Sequence, residues 1–149
     1  MAEPTRSVKK IILLFVTVSL LIAAGIGYYW YNKPPVDVQQ VAGVPVTALD
    51  LYAHFISDSA AAKKTYGNKV LEVSGTVTRI SENQDQQAVV LLKTNNGDAA
   101  INCTMEAPVG DLSSGQQIVV KGICGGMGEG DQDLGIPGDV YLLRCYLIK

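Results

Sequence analysis

One histidine stands among 149 residues, with two phenylalanines, one tryptophan and three cysteines. So few imidazoles leave a His-based metal centre without ligands, and neither a Ser/His/Asp nor a Cys/His catalytic arrangement is suggested. No Cys-x-x-Cys and no Gly-Lys-Ser/Thr occurs, which removes zinc-knuckle and phosphate-loop chemistry. An excess of positive charge is missing too: 12 Lys+Arg face 14 Asp+Glu, a net −2, so the whole chain is no strongly basic nucleic-acid binder. What is present is a division. Residues 1–33 carry Arg6, Lys9, Lys10 and Lys33 against Glu3, a balance of +3, whereas residues 34–149 carry 8 basic and 13 acidic groups, a balance of −5.

The 21 residues from Ile11 to Tyr31 hold no charge. At about 1.5 Å per residue, a helix of that length spans the bilayer hydrocarbon. Arg6, Lys9 and Lys10 before it, against Lys33 after it, predict a cytoplasmic N-terminus and a body on the far side of the inner membrane. Tyr28, Tyr29, Trp30 and Tyr31 form an aromatic belt at the far interface. Ala23-Ala24-Gly25 offers a signal-peptidase-like site, but the apolar run outlasts the roughly 7–15 residues of a signal-peptide core, which favours a retained anchor. Residues 1–30 contain no cysteine, so they hold no lipobox-type lipidation site.

A Pro-containing linker over 32–46 follows, starting Asn32-Lys33-Pro34-Pro35, and the paired prolines favour an extended spacer. Thr47-Ala48-Leu49-Asp50 has the pattern of a capping box, and the spacing of Leu51, Tyr52, Phe55, Ile56, Ser59 and Ala60 predicts one amphipathic helix ending near Tyr66-Gly67. The period then changes to two. Lys69 to Ile80 reads as a strand with Gly75 as a bend or bulge, followed by strands at 88–94, 99–105, 117–124 and 139–148. Asn95-Asn96-Gly97-Asp98 predicts a hairpin between the second and third. Five short strands, the first long and bent, suit a small closed barrel better than a sandwich. The expected organisation is a cytoplasmic head over 1–10, a transmembrane helix over 11–31, the linker over 32–46 and a β domain over 47–149.

The run Lys63-Lys64-Thr65-Tyr66-Gly67-Asn68-Lys69, then Val70-Leu71-Glu72-Val73-Ser74-Gly75-Thr76-Val77, resembles the opening of the bacterial tRNA_anti-like family. Ala100-Ile101-Asn102-Cys103, Leu112 to Gly122 with Cys124, and Leu142-Leu143-Arg144-Cys145 are similar to its third, fourth and fifth strands. The resemblance covers roughly 47–149 and implies a mainly β fold: a five-stranded OB-fold barrel preceded by one amphipathic helix, behind the N-terminal transmembrane helix. It implies a fold, not anticodon binding.

Single-strand binding on an OB barrel needs a positive groove and stacking rings. This body is acidic, the second and third strands lack Phe, Tyr and Trp, and only Lys93 in those strands and Arg79 at the end of the first are basic. Alternation sends Cys103 inward with Ile101 and Met105, Cys124 with Ile118, Val120 and Gly122, and Cys145 with Tyr141, Leu143 and Leu147. Beyond the membrane a Cys124–Cys145 disulfide is the first choice; three buried thiols is the other reading. His54, between core positions on the helix, reads as a surface or cap residue. The 125–138 loop has six glycines with Glu129, Asp131 and Asp133, but Asp131-x-Asp133 lacks the glycine and glutamate of a calcium loop and reads as a solvated connection. No catalytic residue, metal or cofactor is indicated. The functional expectation is a membrane-anchored, extracytoplasmic binding or scaffold protein, bound to the bilayer through Ile11 to Tyr31 and to an envelope protein or small ligand through its loop-rich face; the alternative is single-stranded nucleic-acid binding.

Overall fold

Residues Arg6–Tyr31 form helix α1 in the computed structural model, which describes residues 6–148. The first half of the expected head, 1–5, and residue 149 lie outside the described residues. The uncharged run lies wholly inside α1, and the helix extends back through Lys10 and Lys9 to Arg6. Its 26 residues give a length of about 39 Å. Within Ser7–Tyr31 the most apolar 18-residue stretch has a mean hydropathy of 2.5, and no side chain of the span is buried, so α1 is long and apolar enough to cross a membrane. At its end the Asn32 amide donates to the Tyr28 carbonyl at 2.9 Å, and the Lys33 ammonium lies 5.8 Å and 5.4 Å from the ring centroids of Tyr29 and Trp30. Met1–Val36 and Asp37–Lys149 form separate compact units.

The second unit is mainly β. Its elements are β1 (Val44–Thr47), α2 (Ala48–Ser57), α3 (Ser59–Tyr66), β2 (Val70–Glu82), β3 (Ala88–Lys93), β4 (Ala100–Met105), β5 (Gln117–Met127) and β6 (Val140–Leu147). Strands β2, β3, β4, β6 and β5 are bonded in that order, and β5 returns to β2, closing a five-stranded barrel. The parallel β4–β6 pair inserts the last strand between the third and fourth of the barrel, the order expected of an OB fold.

Four features depart from the sequence reading, each for a local reason. Val44-Pro45-Val46-Thr47 is an extra edge strand parallel to β2, not linker; Pro at an edge sacrifices no central ladder bond. The expected single helix is two, because Asp58, at φ −153° and ψ 91°, ends α2 with its amide on the His54 carbonyl and starts α3 by accepting from the Ala61 amide. In β2 the register shift lies between Val77 and Arg79, whereas Gly75 admits α2: a Cβ there would stand 2.9 Å from the Ala48 Cβ and 3.3 Å from the Leu92 Cβ. The fourth concerns β6. Cys145 is buried as expected, but with Val140 and Leu142, while Tyr141, Leu143 and Leu147 are exposed. Arg144 adopts a φ of +53°, and the register slips on both neighbouring strands, so one extra residue reverses the alternation.

The core fills the barrel. Leu71, Val73, Leu92, Ile101, Val120 and Leu142 are fully buried, and Leu51, Tyr52 and Phe55 of α2 belong to the same cluster, so α2 plugs an otherwise open end. Thr47 fixes the plug's start: its hydroxyl accepts the Asp50 amide at 3.0 Å and donates to the Asp50 carboxylate at 2.8 Å.

Candidate binding face

Register alone assembles a row across the outside of the barrel. Arg79 on β2 pairs with Leu91 on β3, Leu91 with Asn102 on β4, Asn102 with Tyr141 on β6, and Tyr141 with Gly126 on β5. Their inward neighbours Val90, Leu92, Ile101, Cys103, Val140 and Leu142 are buried, so the row faces outward. It offers a guanidinium, an aliphatic side chain, an amide and a phenol in sequence. Tyr141 is 40% exposed and Leu143, one step along the same face of β6, 46%. Small residues make room for the ring: a Cβ on Gly128 would come within 2.6 Å of it.

The loop after β5 adjoins Tyr141. Leu134 and Ile136 at its tip are 71% and 51% exposed, beside Glu129, Asp131 and Asp133. Asp131 shapes this loop: one carboxylate oxygen accepts the amides of Asp133 and Leu134 at 3.0 Å and 3.1 Å, and its carbonyl accepts the Ile136 amide. On the other flank, the β3–β4 turn is tied by the Thr94 hydroxyl, placed 2.7 Å from the carbonyls of both Asn96 and Ala99. A groove of about 490 Å³ there is lined by both signs of charge, Arg79 and Lys93 together with Asp98 and Asp139. A second, of about 600 Å³, is lined by hydroxyls and amides of Thr47, Ser74, Thr76, Thr94, Asn95 and Gln117, and Lys93 lines both. Asp139 is fixed by accepting the Ala100 amide at 2.9 Å. Burial, and then the Asp139 charge, raise the pKa of the Tyr52 phenol on the plug, with Asn96 partly offsetting them. Oriented polar groups and an exposed ring suit an extended or amphipathic ligand.

The other singled-out residues are elsewhere. His54 stacks on Tyr66 with centroids 5.7 Å apart, its Nδ1 2.8 Å from the Tyr66 hydroxyl, and so ties α2 to α3. Among the described residues no group of three or more His, Cys, Asp or Glu is arranged to hold a metal. Cys103, Cys124 and Cys145 are buried thiols. The Cys103 thiol faces the Ile101 carbonyl at 3.9 Å; the neighbouring Cys145 thiol, and then burial, raise the Cys103 pKa well above the ordinary thiol value, and burial raises that of Cys124. Arg79 and Lys93 were legible as the cations near this face. Tyr141 was not, because strict alternation turned it inward.

The tRNA_anti-like family profile matches residues 1–133. The chain belongs to the tRNA_anti-like family. Among solved structures, a candidate nucleic acid-binding lipoprotein of Klebsiella pneumoniae subsp. pneumoniae is 19% identical with a TM-score of 0.47, covering 78% of this chain and 100% of its own. A candidate aspartyl-tRNA synthetase of Leishmania major Friedlin is 9% identical with a TM-score of 0.38; the match covers 85% of this tRNA_anti-like chain and 25% of the synthetase. No curated protein matches.

Proposed function

We propose that this tRNA_anti-like protein is a membrane-anchored, non-enzymatic binding or scaffold protein. Residues 1–10 lie in the cytoplasm, α1 crosses the inner membrane, and the barrel works on the outer side against an envelope protein or small ligand. Support for the orientation comes from Arg6, Lys9 and Lys10 ahead of the apolar run against Lys33 alone behind it. The observation that carries the binding role is the apolar strip of Tyr141 and Leu143, with Leu134 and Ile136 also exposed in the loop that runs into β6, on a domain whose other large apolar side chains mostly fill the core. Purification of the full-length protein in mild detergent tests it: co-purification of a defined envelope partner, lost on Tyr141→Ser with Leu143→Ser, is expected. A monomer that emerges alone contradicts the scaffold role.

One observation favours a second reading. Arg79 and Tyr141 lie in the same cross-strand row, with Lys93 at its edge, supplying a cation and a stacking ring of the kind single strands use. Against it stands the −5 balance of residues 34–149. Fluorescence titration with labelled oligonucleotides at low salt decides: saturable binding that weakens steeply with salt favours nucleic acid, and its absence favours the protein or small-ligand role.

A further inference from the structure

The core holds a pair of nucleophiles that the binding role leaves unused. Cys103 on β4 and Cys145 on β6 belong to adjacent parallel strands, both fully buried. Cys103 pairs with Leu142 and Met105 with Cys145, and the register shift between these pairs is what turns Cys145 inward. Its Sγ occupies the space left by Gly122 on β5, where a Cβ would stand only 2.5 Å away. Cys124, on β5, pairs with Leu142 rather than with Cys145. Of the two cysteines on the strands beside Cys145, it is Cys103 whose thiol is close enough for Cys145 to act on its ionisation.

We infer that Cys103 and Cys145 form an intramolecular disulfide, tying β4 to β6 across the barrel's irregular parallel pair and leaving Cys124 a free thiol. This rests on the reading that the barrel lies outside the cytoplasm, where thiol oxidants persist. The step is thiol–disulfide exchange with a disulfide-bearing oxidant of that compartment. One chain thiolate attacks the oxidant's disulfide to give a mixed disulfide and expel one oxidant thiolate. The second chain thiolate attacks the chain sulfur of that bond and expels the other. Two chain thiols lose two protons and two electrons, and the oxidant's disulfide becomes two thiols. In the finished barrel both sulfurs are sealed, and burial keeps Cys103 protonated and slow. The bond therefore forms while the chain folds, before α2 and the strands close over it.

The test uses the full-length protein in its membrane. Cells are quenched with acid, free thiols are blocked under denaturing conditions, and the linkage is mapped by peptide mass spectrometry. A Cys103–Cys145 cross-link with Cys124 alone blocked is expected; three blocked thiols, or any bond involving Cys124, overturns the pairing. Orientation is read separately from Lys64→Cys, on the exposed surface of α3, with a membrane-impermeant maleimide on intact spheroplasts. If Lys64→Cys is labelled, the mapping result decides directly. If it is not, the topology has failed, and the pairing is decided by refolding the reduced, denatured full-length chain in detergent with a glutathione redox buffer: the Cys103–Cys145 bond supports the inference and its absence refutes it.

Discussion

Substituting Gly122 by alanine places a methyl group 2.5 Å from the Cys145 Sγ and 3.2 Å from the Leu143 carbonyl oxygen. Both are well inside ordinary contact, and the strand on either side is paired, so neither neighbour moves freely. Overpacking of this kind costs about 1–3 kcal/mol. Gly122→Ala should therefore lower the melting temperature by several degrees, at about 4–8 °C per kcal/mol for a domain near 100 residues. Removing the sulfur separates this clash from a general effect of a methyl group in β5. In a Cys145→Ala background the remaining close neighbours are the Leu143 carbonyl at 3.2 Å and the residue-145 Cα at 3.5 Å, so the added cost should fall below about 1 kcal/mol. The double-mutant cycle should give a coupling of about 1–2 kcal/mol. It is run by thermal denaturation in excess reductant, so that loss of a disulfide cannot enter. Equal destabilisation in both backgrounds would show that Cys145 does not point over Gly122, and the bulge at Arg144 would be wrong.

Thr47→Ala removes the α2 cap and should cost about 1 kcal/mol in urea unfolding, with Asp58→Ala costing a similar amount at the α3 cap. Phe55→Ala opens the plug at a fully buried position and should cost about 3–5 kcal/mol in the same assay; a loss below about 1 kcal/mol would mean that α2 does not seal the barrel. The raised pKa values of Cys103, Cys124 and Tyr52 give a pH dependence of definite sign. Above the unfolded thiol pKa of about 8.5, the unfolded chain has released protons that the folded chain still holds, so stability of the reduced protein falls as pH rises. Urea midpoints at pH 7 and pH 10 check this, and Cys103→Ala should flatten the slope.

Helix α1 was legible because 21 uncharged residues behind a basic flank, the last four of them aromatic, make a helix long and apolar enough to cross a membrane. The barrel was legible because β3, β4 and most of β5 keep strict alternation. The misreadings occur where one residue breaks a period. Asp58 fits a helical surface position until its carboxylate is seen to cap a new helix. Arg144 at positive φ carries no side-chain signature, and Val140-Tyr141-Leu142-Leu143 is apolar on both parities, so composition could not say which pair faces out. That ambiguity hid Tyr141, the exposed ring of the proposed binding face. Strand β1 escaped because four residues containing a proline resemble linker, and its partner on β2 lies 27 positions downstream.

The central claim is that the face around Tyr141 contacts a partner in the cell envelope. A photo-crosslinking amino acid at position 141 in the full-length protein, irradiated in living cells, tests it most directly, with position 61 on α3 as the control face. The account predicts a discrete protein or small-ligand adduct from position 141 and none from position 61. Adducts to nucleic acid from 141, or equal yields from the two positions, would contradict it.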